Sequence, residues 1–173
     1  MAKTASIEQE YDAIEAMGGI QRIYITDFHF AGVHVQDVSL KFGAGVYCSQ
    51  VEASKIKKNG IQNLIAFAYT RHDIEEHLTS IPTPGHTPGG VCYLLTLDEK
   101  RYLFTGDFLY FDAEKWLVGS KNFAKVKESL ASLRSSDYDY LVGCGDDALG
   151  NPYVALTSDT KHLFFETVMS QFK

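Results

Sequence analysis

The sequence predicts an α/β (α+β) fold in a single domain spanning residues 1–173, and three observations carry that expectation. Up to residue 69, short apolar runs with the period of a strand alternate with runs spaced as on one helix face. A hairpin pattern occupies the centre: Val91–Leu97, a charged turn at Asp98-Glu99-Lys100, then Arg101–Thr105. The last third returns to helix, strand and helix. Elements ordered this way bury their apolar faces by layering helices on sheets.

Each element has a local reason. Ser6 is a good N-cap with Gln9 three positions on; Ile7, Tyr11 and Ile14 follow at helical spacing, and Gly18-Gly19 stops the helix. Ile20–Thr26 alternates as a strand, with Ile23 and Ile25 on one face. Val35–Phe42 is a short helical pattern closing at Gly43, and Val46–Ser49 is a second strand. Val51–Lys58 reads as a short helix stopped by Asn59-Gly60. Gln62–Tyr69 and His77–Ile81 are strand candidates, joined by the polar link Thr70–Glu76. After the central hairpin, Phe108–Phe111 continues an apolar path. Ser120 is the expected cap of a helix striped by Phe123, Val126, Leu130 and Leu133. Tyr138–Val142 reads as a buried strand and His162–Phe172 as the final helix.

Composition narrows the function classes. The 173 residues are 45% hydrophobic and 22% charged, ordinary for a soluble globular protein. A net charge of −6 argues against a broad nucleic-acid surface, which needs clustered Lys and Arg. No apolar run approaches the ~20 residues that span a bilayer, and the N-terminus lacks the apolar centre of a signal peptide. Cys48, Cys92 and Cys144 show no CxxC spacing, and their odd number fits a reducing compartment, so a cytoplasmic location is expected.

The chemistry concentrates in Ser80–Asp107. Pro82-Thr83-Pro84-Gly85-His86-Thr87-Pro88-Gly89-Gly90 presents one histidine from a loop in which prolines fix φ and glycines permit tight turns. The hairpin behind it returns the chain to Gly106-Asp107 and so brings the aspartate near His86. An imidazole and a carboxylate delivered together suit a metal or an acid/base site. The alternative is that His86 bonds a loop carbonyl and Asp107 caps a turn.

The order TPGHTPGG, apolar hairpin, TGD resembles the central segment of the metallo-β-lactamase superfamily. The resemblance implies an αββα sandwich in which the loop histidine and the aspartate after TG are metal ligands, the aspartate bridging two ions. Members place several strands before the first metal motif, whereas about two dozen residues precede it here. A truncated N-terminal sheet is therefore expected, its edge covered by the terminal helix or by the partner subunit of a homodimer.

The resemblance also exposes departures. Where members carry HxHxDH, this chain has Asp27 at the first histidine, His29 at the second, and Ala31-Gly32 at the aspartate and third histidine. A two-residue deletion would instead let His34 approach. Cys144, in the turn Gly143-Cys144-Gly145, stands where the last histidine is expected. The implied ligands are thus Asp27, His29, His86 and Asp107, with Cys144 a soft candidate for a second position. Two histidines and a carboxylate suit one Zn or Fe ion, and two remaining ligands make a poor second site, so at most one ion is expected. In an extended segment Asp27 and His29 point the same way. The family's orienting base falls at Ala31, and losing such a base commonly costs about 10²–10⁴ in rate.

Three readings follow: a mononuclear metal-dependent hydrolase with a degraded site, a non-catalytic binding or scaffold member, and a mononuclear-iron enzyme oxidising sulfur compounds. The substrate is a small molecule of unspecified class. Outside the motifs, His72 and His77 beside Asp73, Glu75 and Glu76 read as a solvated turn, and His162 as a surface histidine. Cys48 and Cys92 read as buried small hydrophobes. Phe28 and Phe30 either line a pocket or fill the space of absent imidazoles, and Asp146-Asp147 is a solvated acidic pair.

Overall fold

A computed structural model of the chain describes residues 4–112, 115–145, 151 and 153–172, with side chains from Ile7 onward. The Ser6 cap and the Asp146-Asp147 pair therefore lie outside the described residues. Two compact units emerge, Met1–Ala68 and Tyr69–Lys173.

The first unit begins with a 3₁₀ segment Thr4–Glu10 that runs into α1 (Tyr11–Ala16). The chain leaves α1 through Gly18 and Gly19, both at positive φ, as the paired glycines predict. Three strands follow, β1 (Arg22–Tyr24), β2 (Gly45–Ser49) and β3 (Leu64–Phe67), with α2 (Val33–Phe42) and α3 (Ala53–Lys58) between them. A helix in each crossover returns the chain in the same direction, so the three strands pair in parallel in the order β1-β2-β3. Gly43 ends α2 in the left-handed region at φ 68°. Ile25, Val46, Cys48, Ile56 and Ile61 form this unit's core.

The second unit is built on a six-stranded sheet ordered β11-β10-β7-β6-β5-β4. Its strands are β4 (His72–Glu75), β5 (Leu78–Pro82), β6 (Val91–Leu97), β7 (Lys100–Gly106), β10 (Tyr140–Gly143) and β11 (Tyr153–Ala155). A separate ribbon pairs β8 (Leu109–Asp112) with β9 (Lys115–Val118). β7 and β10 run parallel, and between them in sequence lies α4 (Phe123–Ser135); the chain closes with α5 (Ser158–Met169). Val126, Leu130 and Leu133 of α4 and Phe165 and Val168 of α5 share one core with Ile81, Cys92, Leu103 and Leu141 of the sheet. Among the described residues no helix is long and apolar enough to cross a membrane.

Several element boundaries depart from expectation for identifiable reasons. The polar link Thr70–Glu76 contains a strand: β4 pairs antiparallel with β5, where His72 sits opposite Ser80 and Thr79 donates to Asp73. A sheet edge accepts such charged residues because one side of its backbone faces away from any partner strand. Asn122, not Ser120, caps α4 by accepting from Lys125 N. Phe123 is accordingly exposed in the first turn and packs edge-on against Phe172 at 5.4 Å. The final helix starts earlier than its apolar stripe, because Thr157 and Thr160 form a reciprocal capping box.

The β6–β7 turn is the two residues Asp98-Glu99, both left-handed at φ 49° and 61°, while Lys100 already belongs to β7. A two-residue hairpin loop of this hand favours Asn-Gly or Asp-Gly. Glu99→Gly is therefore expected to raise stability by about 1 kcal/mol, the scale of a left-handed penalty on a residue with a Cβ. The check is a higher urea midpoint at unchanged slope; a lower midpoint would contradict it.

Candidate functional site

In the first unit the chain passes from β1 into a 3₁₀ turn, Phe28–Phe30, capped by Asp27. The Asp27 carboxylate is buried, and its Oδ1 accepts from His29 N at 2.9 Å while lying 2.9 Å from His29 Nδ1. The two side chains thus meet, but through a capped turn and not through the alternation of a strand. A carboxylate on Nδ1 favours the proton there, the tautomer in which Nε2 carries the lone pair able to coordinate. Buried Glu52 accepts from Phe28 N at 3.3 Å, and Asn59 Nδ2 donates to Ala31 O at 2.8 Å, so the turn is fastened from α3 and its exit.

Phe28 lies against the His29 ring at 4.1 Å with Lys55 Nζ 3.9 Å from its own centroid, so it packs around the imidazole. Phe30 is exposed, and His34 is exposed in the first turn of α2. Cys48 is fully buried beneath this turn in β2, and burial, with the nearby Glu52 charge, pushes its thiol up to about 11. It is a packed hydrophobe, as its strand pattern predicts.

In the second unit the loop after β5 is tied at both ends. Thr83 N donates to Gly90 O at 2.8 Å, and Ser129 of α4 donates to Pro84 O at 2.8 Å. Gly85 sits at φ +139°, where a Cβ would meet Val126. His86 extends from this frame with Nε2 3.9 Å from Asp107 Oδ2. Asp107 owes its position to TG: Gly106 turns left-handed at φ 52°, and the buried Thr105 hydroxyl donates to Leu109 O. From the end of β10, Cys144 Sγ donates to Asp107 Oδ1 at 3.1 Å. Tyr110 completes the surroundings; its phenol is pushed up by burial and then by the charges of Asp112, Asp107 and Cys144.

Each unit therefore presents an imidazole beside a carboxylate, the second with a thiol as well. Imidazole and carboxylate together suit Zn(II) or Fe(II), and the thiol adds a soft donor.

The remaining histidines lie elsewhere. His72 Nδ1 meets Thr70 O at 2.8 Å, His77 is exposed, and His162 pairs with Glu166 one helical turn on. Sequence reasoning missed Glu52 and Asn59. Asn59 was legible only as a helix stop, and nothing local marks Glu52 as buried.

The profile of the metallo-beta-lactamase superfamily matches residues 24–146, more than half of the chain. The chain belongs to that superfamily. Its match runs from β1 through both carboxylate-imidazole pairs and the Cys144 turn. A curated relative, hydroxyacylglutathione hydrolase of Rhizobium meliloti (strain 1021), is 33% identical over 157 residues, which are 87% of this chain and 58% of the relative. The chain thus spans somewhat over half of that relative's length.

Among solved structures, the crystal structure of VMB-1 at pH 5.5 has a TM-score of 0.70 at 19% identity, covering 99% of this chain and 78% of that one. BJP-1, a subclass B3 metallo-beta-lactamase of Bradyrhizobium japonicum, has a TM-score of 0.60 at 17% identity, covering 99% and 80%. At such identities the likeness shows the fold alone.

Proposed function

We propose that this superfamily member is a metal-dependent hydrolase of acyl thioesters that works with a single Zn or Fe ion. In the second unit His86 and Asp107 are its ligands, with Cys144 behind Asp107; in the first unit Asp27 backs His29. The observation that carries the reading is the pairing of His86 with Asp107 at 3.9 Å on a loop and turn built to hold them. When bound, the ion supplies Lewis-acid activation of water and of the scissile carbonyl.

The departures themselves favour thioesters among the superfamily's substrates. With alanine at position 31, no carboxylate at that point can orient water. A single ion also leaves the departing group without a second positive charge. Both losses weigh least on a substrate whose leaving group is already stable as an anion, and a thiol with a pKa near ~8.5 leaves far more easily than an amine or alkoxide. The 33% identity to a hydroxyacylglutathione hydrolase supports the same class.

The test is metal content of the untagged wild-type protein, together with thiol release from a hydroxyacyl-glutathione thioester. About one ion per chain is expected, with release stopped by a chelator and restored by metal. No metal after reconstitution, with the thioester intact, would overturn the proposal. The absent base and the replaced histidines would then favour a non-catalytic binding protein. Imidazole and carboxylate donors also suit mononuclear iron; bound iron with oxygen consumption on a persulfide would favour sulfur oxidation.

A further inference from the structure

Gly119 follows β9 and opens the strap 119–122 that leads into α4. An added Cβ there would fall far inside van der Waals contact with both the Asp107 carbonyl oxygen and His86 Nδ1, and 3.0 Å from His86 Cγ. The strap is also bonded to both ligand-bearing turns. Gly119 N donates to Phe108 O, beside Asp107, at 3.1 Å. Lys121 N and Asn122 N donate to Gly85 O, beside His86, at 2.9 and 3.1 Å. Asn122 in turn caps α4, whose Val126 abuts Gly85.

We propose that Gly119 is a positioning residue for His86 and Asp107: its bare backbone lets one strap lie against the imidazole and hold both turns in register. The inference rests on the metal-site reading above and deepens it. Space, and not backbone conformation, is what excludes a side chain here. A methyl at position 119 cannot be relieved by a flexible neighbour, because one obstacle is main chain and the other is the imidazole itself. The strap or the histidine must move, and either separates His86 from Asp107.

The experiment compares Gly119→Ala with Leu130→Ala in the intact chain. Leu130 is fully buried in the α4 core, so its truncation reports destabilisation alone. Cobalt(II) is the probe, read by affinity and by its visible d–d bands, and the His86 ring nitrogens are followed by NMR without metal. Gly119→Ala is expected to lose about tenfold or more in cobalt affinity, the scale of outer-shell substitutions, with shifted d–d bands and shifted His86 resonances. Leu130→Ala should melt lower yet keep the wild-type spectrum. Wild-type affinity, bands and ring resonances in Gly119→Ala would overturn the proposal.

If the wild type takes no cobalt, the metal reading fails, and the His86 resonances alone decide the positioning role. Should Gly119→Ala not fold, the wild-type protein decides, through nuclear Overhauser contacts between the Gly119 Hα protons and the His86 ring. Their presence supports the contact, and their absence overturns it.

Discussion

His86→Ala is expected to empty the metal site and abolish thioester hydrolysis while leaving the fold intact. Outer-shell partners of a metal typically contribute 10–100-fold in affinity, so deleting a direct ligand should cost more than about 100-fold. The backbone that carries His86 does not depend on its side chain. Thr83 and Gly90 close the loop, Ser129 holds Pro84, and Gly85 O accepts from Lys121 and Asn122. Melting temperature and circular dichroism should therefore match the wild type. Metal per chain and calorimetric zinc titration make the check. Stoichiometric metal bound with wild-type affinity in His86→Ala would place the ion away from this histidine and sink the proposed ligand set.

Phe165→Ala is expected to give the largest loss of stability among single substitutions in the second unit, about 3–5 kcal/mol. The ring is fully buried on α5, packed edge-on against Phe164 at 5.4 Å, and belongs to the core shared with α4 and the sheet. Its removal deletes a large transfer term and leaves a void that flanking side chains in rigid strands cannot fill. A domain is typically stable by only 5–15 kcal/mol, so the variant should unfold at markedly lower urea. An unchanged urea midpoint would mean that α5 does not share this core in solution.

What the sequence reveals depends on whether the cause is local. The α2 terminus at Gly43, the paired-glycine stop after α1 and the central hairpin are written in a few adjacent residues, and each appears where expected. The burial of Cys48 and Cys92 follows from their strand patterns. β4 was hidden because its charged residues suit a sheet edge, which only the pairing with β5 creates. The α4 cap moved from Ser120 to Asn122 because the strap is drawn onto Gly85 O, a long-range bond with no local mark.

The site divides the same way. His86 and Asp107 are legible because prolines, glycines and TG announce rigid presentation of a polar side chain, and the hairpin register then brings them to 3.9 Å. Asp27 and His29 are legible as residue types, but their contact comes from a capped 3₁₀ turn that alternation does not foresee. Glu52, Asn59 and Gly119 act on that chemistry from elsewhere in the chain: the first two fasten the Asp27–His29 turn, and the third lies against His86. By itself, then, the sequence determined the superfamily, the mixed α/β class and the central hairpin, since these reside in local pattern. Tertiary structure alone decided the edge strand β4, the capped turn through which Asp27 meets His29, and which backbone bears on the imidazoles, because hydrogen bonds and steric exclusion between distant segments exist only once the chain has closed.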